Sequence, residues 1–175
     1  IAKWAKKQGF KTYYYISPQV WAWKESRVNT LKKYIDELYV ILPFEKEFFE
    51  KKHNYKVHYF GNPVMNNIDE FIRINKIKIQ SKKPIISILP GSRKQEVKKI
   101  LSDILKVIKK FPNYRFIIAG VSHIDKEFYE KILNGNNTEI VFNKTYKLLN
   151  SSSFSIVASG TATLETALFL SLIHI

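Results

Sequence analysis

The sequence predicts an α/β protein built on doubly wound parallel sheet, and three observations carry that prediction. Strand-like and helix-like stretches alternate along almost the whole chain. The strand-like stretches are continuous apolar runs, such as residues 84–89 (PIISIL), rather than in-and-out alternations, which is how strands covered on both faces read. The helix-like stretches place apolar residues three and four apart, most clearly Val97, Ile100, Leu101, Ile104, Leu105 and Ile108. In sheets of this class ligands sit beyond the carboxyl ends of the strands, so the loops that follow strands are where chemistry belongs.

The elements follow in order. Residues 1–9 read as the tail of a helix, and 11–16 (KTYYYI) as an aromatic, β-branched strand followed by a Ser-Pro loop and a charged helix over about 24–35. Residues 38–42 (LYVIL) form a strand closed by Pro43, and 44–53 a helix with Phe44, Phe48 and Phe49 on one side. A third strand, 57–60, ends at the turn Gly61-Asn62-Pro63, and 64–71 is helical. Residues 74–83, polar and basic without a strong period, are the expected linker between a first domain, 1–73, and a second, 84–169. In the second, strands at 84–89, 114–119, 138–142 and 154–158 alternate with helices over 96–110 and 126–133, one near Lys147 and one opening at about Ala162.

The composition is ordinary for a globular chain of 175 residues, with 45% hydrophobic and 25% charged residues. No cysteine is present, which excludes a disulfide framework and thiolate metal sites, and the four histidines show no ligand spacing, so no metal is expected. No apolar run approaches the ~18 residues that mark a membrane span. The charge is less ordinary: 29 basic against 15 acidic residues give +14. Residues 1–80 carry 15 basic and 8 acidic groups and residues 81–175 carry 14 and 7, so the excess is spread. Such a field draws nucleic acid, an anionic membrane surface or a phosphorylated substrate alike.

Three loops after strands stand out. Residues 17–24 (SPQVWAWK) hold Trp21 and Trp23 two apart beside a proline, where they either plug a core edge or line a surface for a sugar or acyl group. Residues 89–96 (LPGSRKQE) run strand, turn, helix: Gly91 lets the backbone approach a ligand, Ser92 can cap the helix, and Arg93 offers a fork for phosphate oxygens at a helix N-terminus. An ordinary capped helix with a surface arginine fits the same residues. Residues 158–165 (ASGTATLE) repeat the arrangement, with Glu165 one turn inside the helix. Together the last two loops can hold the ends of a nucleoside diphosphate; small-residue packing is the alternative.

On these segments the chain resembles the lipid-A-disaccharide synthase family, glycosyltransferases of the two-Rossmann-domain B-type fold. The matching stretches are YYISPQVWAWKESRV, ILPFEKEFF, FGNPV, ILPGSRKQEV and VASGTATLETAL, in family order. The resemblance implies transfer, with inversion, of a diacylglucosamine unit from UDP-2,3-diacylglucosamine to 2,3-diacylglucosamine 1-phosphate, giving a β-1,6-linked disaccharide and UDP. It implies that Gly91, Ser92, Arg93, Gly160, Thr161 and Glu165 serve UDP and phosphate, Glu165 through the ribose, and that Ser17, Trp21 and Trp23 lie on the acceptor or acyl side. It implies no cofactor and no metal, and a cytoplasmic enzyme of a Gram-negative bacterium, peripheral on the anionic inner face of the inner membrane.

Asn62 departs from the family, which often has His in that turn. The family's candidate general base lies in a segment upstream of Ile1, and further UDP-closing loops lie beyond the Glu165 helix, so the chain is expected to be the middle of a longer enzyme, incomplete in both domains and inactive alone. Residues 170–175 (LSLIHI) match what a transposon adapter encodes and are expected to be a non-native tail. Related UDP-sugar enzymes, the lipid II glycosyltransferase or a UDP-sugar epimerase, share the fold, but the SPQVWAW and PGSR loops speak against them. A nucleic-acid-binding module lacks any recognised basic motif, so no nucleic acid partner is expected.

Overall fold

A computed structural model describes residues 1–158, 160–169 and the backbone of 172–174. The chain divides into two compact units, residues 1–63 and 64–175.

The first unit holds α1 (Ala2–Lys7), β1 (Tyr13–Tyr15), α2 (Arg27–Tyr34), β2 (Glu37–Val40), α3 (Pro43–Glu47) with a π-helical continuation over Phe48–Lys52, and β3 (His58–Tyr59). The strands form a parallel sheet in the order β1-β2-β3. Val20, Val28, Leu38, Val40, Phe49 and Val57 make its core. The three tyrosines of β1 are exposed, against the expectation of strands covered on both faces; β1 is also an edge strand, paired only with β2 among the described residues. At the amino edge, the Thr12 backbone N–H donates to Asp36 Oδ2 at 2.9 Å and the Asp36 N–H donates to the Thr12 hydroxyl at 3.1 Å. Lys6 completes the staple.

From Val64 on, α4 (Pro63–Ile74) belongs to the second unit, and its Phe71 packs edge-on against Tyr146 and Phe169. The division therefore precedes the polar stretch 74–83, and α4 packs with the second unit. Then come β4 (Ile85–Leu89), α5 (Lys94–Ile108), β5 (Arg115–Gly120), α6 (Lys126–Leu133), β6 (Glu139–Phe142), α7 (Thr145–Ser151), β7 (Phe154–Val157), α8 (Thr161–Leu168) and β8 (Leu172–His174). All pairs are parallel, in the order β6-β5-β4-β7-β8. The chain winds outward from β4 to β6, then returns to lay β7 on the other side of β4; the switch point lies between β4 and β7. Strand period two divides the core: Ile85, Leu89, Ile117 and Val157 meet Leu148 and Leu149 of α7, while Ile88 and Ile118 meet Val97 and Leu101 of α5 and Tyr129 of α6. Two buried hydroxyls interrupt the apolar strands, Ser87 and Ser155, 2.6 Å apart across β4 and β7. Of the expected tail, residues 172–174 pair with β7, and Leu170, Ser171 and Ile175 lie outside the described residues.

Candidate functional site

The switch point opens into a cleft of about 470 Å³. Its walls include Gly91, Ser92 and Arg93 from the loop after β4, and Gly160, Thr161 and Glu165 from the loop after β7 and the start of α8. Ser159, between them in sequence, lies outside the described residues. The two loops leave the sheet side by side because the Ala158 N–H donates to the Leu89 carbonyl at 2.8 Å. Two helix N-termini thus open onto one cleft, and their partial positive charges favour an anion there.

Glycine is required at both turns. Gly91 has φ +97° and Gly160 φ +119°, in the region that side-chain-bearing residues rarely enter. A Cβ on Gly91 would also stand 2.7 Å from Glu96 Oε2. The expected Ser92 cap does not form: the N-cap position of α5 falls one residue later, on Arg93, whose extended backbone makes no side-chain cap bond. Ser92 instead offers its carbonyl to His123 Nε2 at 2.7 Å, so the loop after β5 braces the loop after β4, and the carbonyl acceptor fixes Nε2 as the protonated nitrogen. The Arg93 side chain, 82% exposed, pairs with Glu96 Oε1 at 3.1 Å.

Glu165 is held by a residue that spacing did not single out. The Tyr146 hydroxyl of α7 donates to Glu165 Oε1 at 3.1 Å. Burial, and then the Glu165 charge, push the Tyr146 hydroxyl above its ordinary pKa, so it remains a donor. Val121 of the cleft wall is tied to the core: its N–H donates to the buried Tyr129 hydroxyl at 3.0 Å, and burial raises the pKa of that hydroxyl as well.

Ser17, Trp21 and Trp23 belong to the first unit, in the loop after β1. Ser17 is buried and its N–H donates to the Tyr39 carbonyl at 3.2 Å. Trp21 stacks edge-on against Phe44 with centroids 4.9 Å apart and donates its indole N–H to Glu45, while Trp23 stands in solvent. Trp21 thus packs on one side while staying 37% exposed, and Trp23 is 65% exposed. Asn62 is buried in the turn before α4.

A doubly wound α/β unit with its cleft at the switch point, flanked by glycine turns that each open a helix, defines the fold class of nucleotide-type Rossmann proteins. Among solved structures the chain is similar to UDP-GlcNAc 2-epimerase from Neisseria meningitidis bound to UDP-GlcNAc, with a TM-score of 0.63, 16% identity, and coverage of 98% of this chain and 54% of that one. It is also similar to the S. aureus MnaA–UDP co-structure, with a TM-score of 0.67, 13% identity and coverage of 98% and 53%. At those identities the likeness concerns the fold alone. Sequence relatives are closer: the lipid-A-disaccharide synthases of Francisella philomiragia, 33% identical over 180 residues, and Francisella tularensis, 31% over 182. The chain spans about half the length of these curated relatives, 47% of each, while the alignment covers 96% of this chain. The lipid-A-disaccharide synthetase family model matches residues 1–171. The chain belongs to the lipid-A-disaccharide synthase family.

Proposed function

We propose that the protein containing this chain transfers 2,3-diacylglucosamine from UDP-2,3-diacylglucosamine to 2,3-diacylglucosamine 1-phosphate, forming lipid A disaccharide 1-phosphate and UDP with inversion. The observation that carries the reading is the family match over residues 1–171. The cleft geometry is consistent with it.

In this reaction the acceptor's 6-hydroxyl oxygen attacks the anomeric carbon of the donor. The new carbon–oxygen bond forms as the bond to the UDP phosphate breaks, and the hydroxyl proton goes to a general base. Charge grows on the departing diphosphate. The N-termini of α5 and α8 and the Arg93 guanidinium suit that charge, with Gly91, Ser92, Gly160 and Thr161 giving backbone access and Glu165 accepting from ribose hydroxyls. This supply of positive charge makes no demand for a metal or other cofactor. Ser17, Trp21 and Trp23 are assigned to the acceptor or acyl side. We place the enzyme on the inner face of the inner membrane, where both acylated substrates reside; the spread +14 supports attraction to an anionic surface. Among the described residues no helix is long and apolar enough to cross a membrane.

The test is UDP release by the full-length protein given both acylated substrates. Turnover supports the reading, and none with both authentic substrates rejects it. Parallel reactions with an undecaprenyl-linked acceptor and with UDP-GlcNAc alone separate it from lipid II synthesis and 2-epimerisation.

A further inference from the structure

The loop joining β1 to α2 bends through the left-handed region at both ends, at Ile16 (φ +64°) and Lys24 (φ +56°). A β-branched residue seldom enters that region, and such strain persists only where the surroundings hold it. Here three ties do so: the Ser17 N–H on the Tyr39 carbonyl, Val20 buried in the core, and Glu45.

Glu45, in the first turn of α3, is 1% exposed. Its Oε2 accepts from the N–H groups of Ile41 at 3.1 Å and Leu42 at 2.9 Å, which is a helix-capping duty. Its Oε1 reaches across to the loop after β1 and accepts from the Trp21 indole N–H at 3.1 Å. The cap alone does not call for a carboxylate. A glutamine turned to keep the cap would present its NH2 group to the indole N–H, donor against donor, so only a group with two accepting oxygens serves both ends. Trp21, pinned by this bond and by Phe44, anchors a turn in which the N–H groups of Ala22 and Trp23 donate to the Gln19 carbonyl at 3.1 and 3.3 Å. The turn displays Trp23, 65% exposed, with Lys24 Nζ 4.3 Å from its ring centroid. An apolar ring beside an ammonium group suits an amphiphile carrying an acyl chain next to a phosphate.

We infer that Glu45 is a positioning residue: through Trp21 it fixes the 21–24 turn so that Trp23 and Lys24 receive the acyl chain and phosphate of the acceptor. The acceptor's identity rests on the function proposed above; the clamp does not.

The experiment uses the full-length enzyme and the variants Glu45→Gln, Trp21→Phe and the double variant. In Glu45→Gln the Trp21 indole N–H resonance, assigned by its loss in Trp21→Phe, moves upfield. The KM for 2,3-diacylglucosamine 1-phosphate rises about tenfold, with kcat and the donor KM within about twofold, the pattern of lost positioning at one substrate. Trp21→Phe breaks the same bond from the other side without touching the cap, so it gives the same acceptor KM rise even if Glu45→Gln folds poorly. The double variant is no worse than the worse single one. An unmoved indole resonance overturns the clamp. Equal rises in donor and acceptor KM, or multiplying effects in the double variant, overturn the positioning role. A wild-type enzyme that turns over neither substrate sinks the acceptor assignment and leaves the resonance to judge the clamp.

Discussion

At Arg93 the competing interactions can be ranked. Its pair with Glu96 is an exposed i,i+3 contact, and such pairs contribute about 0.2–1 kcal/mol. A guanidinium bonded to a phosphate gains roughly 1.5–3 kcal/mol per charge-assisted hydrogen bond. An anion in the cleft therefore draws Arg93 away from Glu96. Glu96, itself part of the cleft wall, opposes that anion. The two substitutions are expected to act in opposite directions on the full-length enzyme: Arg93→Ala raises the KM for the UDP donor by about 10–100-fold, and Glu96→Gln lowers it by up to about fivefold. Initial rates across donor concentrations measure both, and shifts of the same sign would refute the arrangement.

A second residue adds a pH-dependent contribution to the stability of the first unit. Hydrogen bonding from Lys6 and from the Thr12 backbone and hydroxyl lowers the pKa of Asp36 from 3.8 to about 2. A carboxylate whose folded pKa is depressed stabilises the fold fully above its unfolded value and loses that contribution as pH falls through the folded one. Asp36→Asn is therefore expected to melt below wild type at neutral pH, with the gap closing between about pH 4 and pH 2. Thermal melts across that range check it; a gap independent of pH would show that the staple does not depend on charge.

At the scale of elements, the switch point rests on β4 and β7, and the Ser87–Ser155 hydroxyl pair joins them inside the core. A buried hydroxyl without a partner costs about 1–3 kcal/mol, whereas removing both partners is nearly neutral. Ser87→Ala alone is expected to destabilise by about that amount and Ser87→Ala with Ser155→Ala by less, read from the unfolding free energies of the four forms in a double-mutant cycle. Additive losses would mean that each serine acts alone.

The alternation of strand-like and helix-like stretches foretold every strand through β7 to within about two residues; β4 and β5 read clearly because parallel strands buried on two faces carry their signal locally, while β1 read from its β-prone tyrosines although they are exposed. It also brought the two glycine turns to notice, since each is a strand–turn–helix junction contiguous in sequence. Tyr146 and the second role of Glu45 gave no such signal. Each acts on a residue about twenty positions away, and nothing in the local period of a short helix records a tertiary contact. His123 lies in the loop after β5, but its partner, the Ser92 carbonyl, is a backbone atom that no residue pattern encodes. The polar stretch 74–83 looked like a boundary from composition, yet the packing of Phe71 on Tyr146 and Phe169 ties the preceding helix to the second unit.

For the molecule as a whole, the excess of 29 basic over 15 acidic residues has no single binding motif to account for it. On the function proposed above, such a field would act in two ways: anionic headgroups would hold the enzyme at the surface that carries its substrates, and phosphorylated substrates would be steered to it. Both effects are screened by salt, with a Debye length of about 8 Å at ~0.15 M and about 3 Å at ~1 M. Contact made by exposed apolar groups such as Trp23 is not screened in that way. Co-sedimentation of the full-length protein with phosphatidylglycerol vesicles therefore separates the contributions. Charge-driven docking falls steeply as salt rises from ~0.1 to ~0.5 M and is absent on phosphatidylcholine. Trp23→Ala is expected to reduce the salt-resistant remainder while leaving the salt-dependent part in place. Binding to neutral and anionic vesicles alike, unmoved by salt, would show that the +14 plays no part in membrane attachment.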